Sequence, residues 1–184
     1  MHPSLIVPCH WFDSFILPPA DLPAVWGILT RNGGDIMPRI EKQVAVNAAP
    51  ERVFQTLQQF ETFDQFLPHV KSVQVVVQSL PTTVLDWVVV APGVGVEVRW
   101  RSHQTVHPDE QRITFRPEGD SLVQLTGEWR VQATEAGTTL HAIIDYEAKV
   151  PPIFAAVAQK AVNDIIESWL NGFKQRAEAL HGEG

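Results

Sequence analysis

The chain has 184 residues, 45% of them hydrophobic and 19% charged, with a formal net charge of −7, which fits one globular domain able to bury a sizeable core. An acidic chain without a cluster of Lys or Arg lacks the concentrated positive charge that nucleic acid or an anionic membrane surface demands. Its single cysteine, Cys9, excludes an intrachain disulfide framework, and no apolar run approaches the ~20 residues of a stable membrane insertion.

Residues 1–37 stand apart. They are proline-rich, with short apolar islands at Leu5-Ile6-Val7 and Phe15-Ile16-Leu17, one basic side chain, Arg31, and a close at Asn32-Gly33-Gly34-Asp35. No positive n-region precedes a continuous apolar core, so a secretory signal is not supported and the expected compartment is the cytoplasm. Neither helical nor strand periodicity persists. The expectation is a poorly ordered N-terminal extension, or a mis-assigned start with Met37 as the natural one, followed by one ligand-binding domain over 38–184.

From Ile40 the pattern becomes regular. Ile40 to Asn47 reads as a first strand. Pro50-Glu51 opens a helix carrying Val53, Phe54, Leu57 and Phe60, since proline is tolerated in a first turn and Glu51 suits the positive end of the dipole. A second short helix holds Phe63, Phe66 and Leu67 before Pro68. Six segments of strand character follow, at 69–79, 83–91, 94–106, 111–117, 121–133 and 138–149, separated by turns such as Pro92-Gly93 and Glu118-Gly119-Asp120. Such spacing predicts an antiparallel meander. After Pro151-Pro152, apolar residues from Phe154 to Leu180 recur at helical period until Gly182, giving a rod of about 28 residues and ~42 Å. The fold class is therefore α+β.

Side chains alternate across a strand. One parity collects Val73, Val75, Val77, Leu85, Trp87 and Val89, then Val94, Val96, Val98 and Trp100, and later Leu125, Trp129, Ile144 and Tyr146. The other collects Asp86, Glu97, Arg99, Arg101, His103, Glu128, Arg130 and Asp145. A sheet dry on one face and wet on the other follows, with the long helix on the dry face. Gly127, on the dry parity, marks a bend or a close approach.

Candidate chemistry is sparse. His103 and His107 are four apart, which on a strand separates them by ~13 Å and prevents them sharing an ion, and the remaining histidines show no ligand spacing. His69, beside Pro68, is the one histidine near the expected mouth. No glycine-rich phosphate loop appears. No metal or cofactor is expected. Tyr146 is the sole ionisable side chain expected on the dry face, which weighs against acid–base catalysis.

Residues 38–180 resemble the START-like superfamily, the polyketide cyclase/dehydrase and lipid-transport proteins with their coenzyme Q-binding group. The similarity runs through Ile40-Glu41-Lys42, Ala49-Pro50-Glu51-Arg52-Val53-Phe54 and Phe60-Glu61-Thr62-Phe63-Asp64-Gln65-Phe66-Leu67-Pro68. It continues in Leu125-Thr126-Gly127-Glu128-Trp129-Arg130-Val131 and Leu170-Asn171-Gly172-Phe173-Lys174. The resemblance implies a helix-grip fold, a seven-stranded antiparallel sheet wrapped around the C-terminal helix, with two short helices between the first strands and a deep apolar cavity within.

The expected walls are Phe54, Phe63, Phe66 and Leu67 from the short helices, and Trp87, Val89, Val98, Trp100, Phe115, Leu125, Trp129, Ile144 and Tyr146 from the strands. Val162, Ile166 and Trp169 come from the long helix. Such a cavity implies a carrier or chaperone for a quinone, isoprenoid, lipid or polyketide-like aromatic, or alternatively a polyketide cyclase/dehydratase. Superfamily cyclases use positioned polar side chains, often arginine, and Arg99, Arg101 and Arg130 would serve only if their parity were reversed. A third reading has no ligand and a protein partner.

Overall fold

The computed structural model describes residues 38–135 and 137–179; the extension over 1–37 and the last turn expected of the long helix lie outside the described residues. Seven strands, β1 (Arg39–Val46), β2 (Val70–Ser79), β3 (Thr82–Val90), β4 (Glu97–His107), β5 (Arg112–Glu118), β6 (Val123–Thr134) and β7 (Gly137–Ala148), make one antiparallel sheet. Their order is β1-β7-β6-β5-β4-β3-β2. Three α-helices accompany them: α1 (Pro50–Leu57), α2 (Phe63–Phe66) and α3 (Ala155–Ala179). Short 3₁₀ turns at Phe60–Thr62 and Pro152–Phe154 lead into α2 and α3.

This order makes β1 and β2 the two edges of the sheet. The chain must travel from one to the other after its first strand, and α1 and α2 span that distance, α1 packing on α3, β6 and β7 and α2 on β2. The alternation expected from the sequence holds through the paired strands: Leu85, Trp87, Val89, Leu125, Trp129, Leu140, Ile144 and Tyr146 are all buried. Their opposite parity carries cross-strand ion pairs, among them the two-pronged contact of Arg101 with Asp86 at 2.6 and 2.8 Å. Arg99 meets Glu97 at 3.0 Å and Arg130 meets Glu128 at 2.5 Å. The arginines thus belong to the solvated face, where such pairs contribute little.

Three of the valines expected on the dry face are exposed. Val77 follows a register shift between Val75 and Val77, so Val76 and Val77 are both exposed, at 43% and 50%. A bulge of this kind puts an extra residue into one strand and disrupts the alternation. Val94 and Val96 precede β4, which starts only at Glu97, because Gly93 and Gly95 take φ of 74° and 73° and turn the chain into a loop. Left-handed backbone of this sort is open to glycine at little cost.

Two glycines set the closeness of the layers. A Cβ on Gly127 would lie 2.2 Å from the Ile143 carbonyl oxygen and 2.8 Å from Ile144 Cα. The neighbouring strand can approach there only because no side chain exists. The same position ends the pairing of β5 with β6, which stops at Phe115–Gly127, while beyond it each strand pairs only with its other neighbour. Gly172, mid-helix, lets α3 settle against the α2 end, where a Cβ would meet Leu67 Cδ2 at 3.1 Å and the Phe66 oxygen at 3.2 Å.

Polar ties fix α3 along the β1 edge. Lys42 pairs with Glu167 at 2.6 Å, and Lys174 Nζ donates to the Ala45 carbonyl at 2.7 Å. Glu178 accepts from Lys174 and from the Asn47 backbone N–H, both at 2.7 Å. The Lys174 ammonium first, and then the Asn47 N–H, hold the Glu178 carboxyl below the usual glutamate range.

Gly127→Ala should lower the stability by about 3 kcal/mol, the upper range for overpacking against a backbone that cannot give way; an unchanged urea midpoint would contradict the close approach. Because the folded carboxyl of Glu178 titrates below its unfolded value of ~4.3, its stabilisation is present above that pH and is lost as pH falls through the depressed folded value. Glu178→Gln should therefore weaken the protein at neutral pH and reduce the acid loss, measured as urea midpoints at neutral pH and near pH ~3.

Candidate functional site

Between α3 and the dry face lie two adjoining spaces. The outer one is a cleft of about 220 Å³, bounded by β3, β4, β6 and the N-terminal half of α3. The described residues lining it are all apolar, from Val89, Val98 and Leu125 on the sheet to Phe154, Ala158 and Val162 on the helix side. Its rim is apolar as well: Val94, Val96, Leu122, Phe154 and Val157 are exposed.

The inner space is different. Lined by Leu57, Phe60, Phe63, Trp87, Ile113, Phe115, Trp129, Ile144, Ile166, Trp169 and Phe173, it holds only about 20 Å³, room for roughly one water-sized molecule. The deep cavity expected from the sequence is thus mostly filled, and the reason is aromatic packing. Trp100, Trp87 and Trp169 form a stack with ring centroids 5.6 and 5.4 Å apart and interplanar angles of 6° and 22°. Phe63 lies against both Trp87 and Phe173, and Trp129 meets Phe173 edge-on. Rings in such offset and edge-on arrangements add attraction beyond the area they bury.

Trp100 and Leu125 belong to both linings. Trp100 is the outermost ring of the stack and only half-buried, so it stands as the partition between cleft and chamber.

Of the residues expected on the walls, Val89, Val98 and Val162 line the cleft, and Phe63, Trp87, Phe115, Trp129, Ile144, Ile166 and Trp169 line the chamber, with Trp100 and Leu125 in both. Phe54, Phe66, Leu67 and Tyr146 lie off both walls. Phe54, Leu67 and Tyr146 are buried in the core. Phe66 packs edge-on against Phe63 and Phe173 and beneath the Arg176 guanidinium. Burial pushes the Tyr146 phenol up. His69 is exposed, its backbone at a left-handed φ of 67° and its carbonyl accepting from Val90 N–H at 2.9 Å.

Two polar wall residues escape the sequence reading. Ser102 and Gln104 continue the dry parity of β4 beyond Trp100 and are 2% and 5% exposed. Trp87 Nε1 donates to Ser102 Oγ at 3.0 Å, and Gln104 Nε2 donates to the same oxygen at 2.9 Å. Extending the alternation two steps past the last apolar residue would have found them. Among the described residues, no group of three or more His, Cys, Asp and Glu is placed to hold a metal, and no helix is long and apolar enough to cross a membrane.

A seven-stranded antiparallel sheet closed on one long C-terminal helix, with short helices bridging its edges, defines the helix-grip, START-like class. Within that class the chain belongs to the family described as polyketide cyclase/dehydrase and lipid transport, whose profile matches residues 37–178. No curated protein sequence matches significantly. Among solved structures, the chain is similar to the TTHA0849 protein of Thermus thermophilus at 25% identity and a TM-score of 0.71, over 80% of this chain and all of that one (100%). The Zhui aromatase/cyclase of a Streptomyces species shares the fold at 20% identity, TM-score 0.66, over 77% of this chain and 93% of that one. So does a START superfamily protein of Mycobacterium smegmatis at 19% identity and TM-score 0.66, over 77% and 98%.

Trp87→Ala, which removes the middle ring, should cost about 3–5 kcal/mol. Trp100→Ala, at the half-exposed end, should cost only about 1–2 kcal/mol. Equal losses on urea unfolding would show Trp100 to be as integral to the core as Trp87 and would remove it as a partition.

Proposed function

We propose that the protein is a non-catalytic carrier or chaperone for a hydrophobic small molecule, received in the cleft and reaching inward past Trp100. The observation that carries this reading is the cleft lining, apolar throughout and open at an apolar rim. Burial alone supplies enough affinity. About 300 Å² of ligand surface removed from water contributes ~7 kcal/mol at the usual coefficient, before ordering costs are deducted. The family description includes lipid transport, and quinones, isoprenoids, lipids and polyketide-like aromatics all present such surface.

The same description includes cyclases, and Zhui is named an aromatase/cyclase. A cyclase or dehydratase needs a proton-transfer group within reach of the substrate. Among the described residues, those lining cleft and chamber include no carboxylate, imidazole, amine or thiol, which supports the carrier over the enzyme. Conversion of a polyketide-like substrate, abolished by one wall substitution, would favour the cyclase instead.

Native mass spectrometry of gently purified protein, followed by organic extraction, should reveal a stoichiometric apolar adduct. Independently, the uncharged fluorescent probe N-phenylnaphthylamine should bind with a micromolar constant. Ala158→Trp, which fills the cleft from α3, should weaken it about tenfold or more, a loss of ~1.4 kcal/mol. Probe affinity that is unchanged in a folded Ala158→Trp protein would rule out the cleft as the site.

A further inference from the structure

The chamber ends in a hydrogen-bonding pair that its aromatic walls do not require. Ser102 Oγ already accepts from Trp87 Nε1 and from Gln104 Nε2. A serine hydroxyl has one hydrogen to donate and two lone pairs to accept with, so both acceptor positions are taken and the hydrogen remains. None of the described residues accepts that hydrogen, and none donates to Gln104 Oε1. Both side chains line the chamber. The deep end therefore offers one donor and one acceptor side by side, at side chains 2% and 5% exposed.

We infer that Ser102 and Gln104 recognise a hydroxyl group on a flat aromatic ligand, which enters hydroxyl first and lays its rings on Trp87 where Trp100 now stacks. This inference rests on the reading of cleft and chamber as one ligand site. A phenolic hydroxyl satisfies the pair completely: its oxygen accepts from Ser102 and its hydrogen is donated to Gln104 Oε1. A ring carbonyl accepts from Ser102 but leaves the glutamine oxygen buried and unpaired, and a plain hydrocarbon leaves both groups unpaired. Leaving a buried polar group unsatisfied is the costly outcome, so discrimination follows from the site's own needs more than from the strength of a new bond. The Trp87 indole N–H fixes the serine oxygen, and the stack fixes the indole, so the donor is oriented before any ligand arrives.

Space is the remaining requirement, and Trp100 supplies it. The chamber's ~20 Å³ admits no ring, whereas the adjoining cleft measures about 220 Å³. Rotation of the half-exposed Trp100 joins the two and frees one face of Trp87. The ligand's ring then replaces the indole it displaced, stacking on the same surface.

Calorimetric titration of the full chain with naphthalene, naphthol and naphthoquinone tests this directly. Naphthalene is the most hydrophobic of the three, so burial alone would make it the tightest. The expected result is naphthol tighter than both others by about tenfold or more, with Ser102→Ala and Gln104→Met each abolishing that preference, because naphthalene no longer leaves the deleted group unpaired. Retained naphthalene binding also reports that the variants fold. Uptake of all three with naphthalene tightest, or a naphthol preference that survives both substitutions, would overturn the inference and leave the carrier standing. Binding of none of them would overturn both.

Discussion

Trp87 is gripped by its neighbours: two indoles stack on it, Phe63 lies against it, and its N–H is bonded to Ser102 inside the sheet. That single side chain connects the three parts of the molecule that define its interior. Trp100 comes from the neighbouring strand, Phe63 from the helices bridging the sheet edges, and Trp169 from the long closing helix. Trp169 in turn donates to the Pro68 carbonyl at 3.0 Å, fixing α3 to the segment that enters β2. Removing the middle ring would take away the one side chain that helix, hairpin and bridge share, which gives the stack a structural role whatever it also does for a ligand.

A sheet that grips a helix must bring backbones closer than ordinary side chains allow in some places and hold them apart in others. Gly127 and Gly172 provide the close approaches, the first between adjacent strands, the second between α3 and the α2 end. The separation comes from the indoles and phenyl rings, which are too large to be stacked in a thin layer. Towards the N-terminal half of α3 the rings give way to Val89, Val98, Leu125 and Val162, and the space widens from about 20 to about 220 Å³. The cleft occupies that wider part. Interior and cleft are therefore one space divided by Trp100, tight where the rings meet and open where they do not.

Much of this was readable beforehand because burial on one face imposes a period of two on every strand, and the long helix imposes a period near 3.6. Leu85-Trp87-Val89 and Leu125-Gly127-Trp129 announced their face unaided. The failures have physical causes of their own. Val77 lies past a bulge, a one-residue insertion with no signature in a run of valines. Val94 and Val96 alternate correctly but sit in a loop, since the glycines beside them adopt left-handed backbone. Ser102 and Gln104 were overlooked because a reading by hydrophobicity stops at the last apolar residue, while the pleat of the strand continues regardless.

By itself the sequence determined the class of fold, the order of its elements, the wet and dry faces of the sheet and the aromatic character of the interior, since each is a local consequence of spacing between neighbours in the chain. Only the tertiary structure decided how much of that interior is filled and how much is open. Volume depends on how rings from Trp87, Trp100 and Trp169 pack on one another across strands and helix. The donor and acceptor left at the chamber's end were equally invisible, because an unused hydrogen-bonding capacity is known only after every partner has been placed.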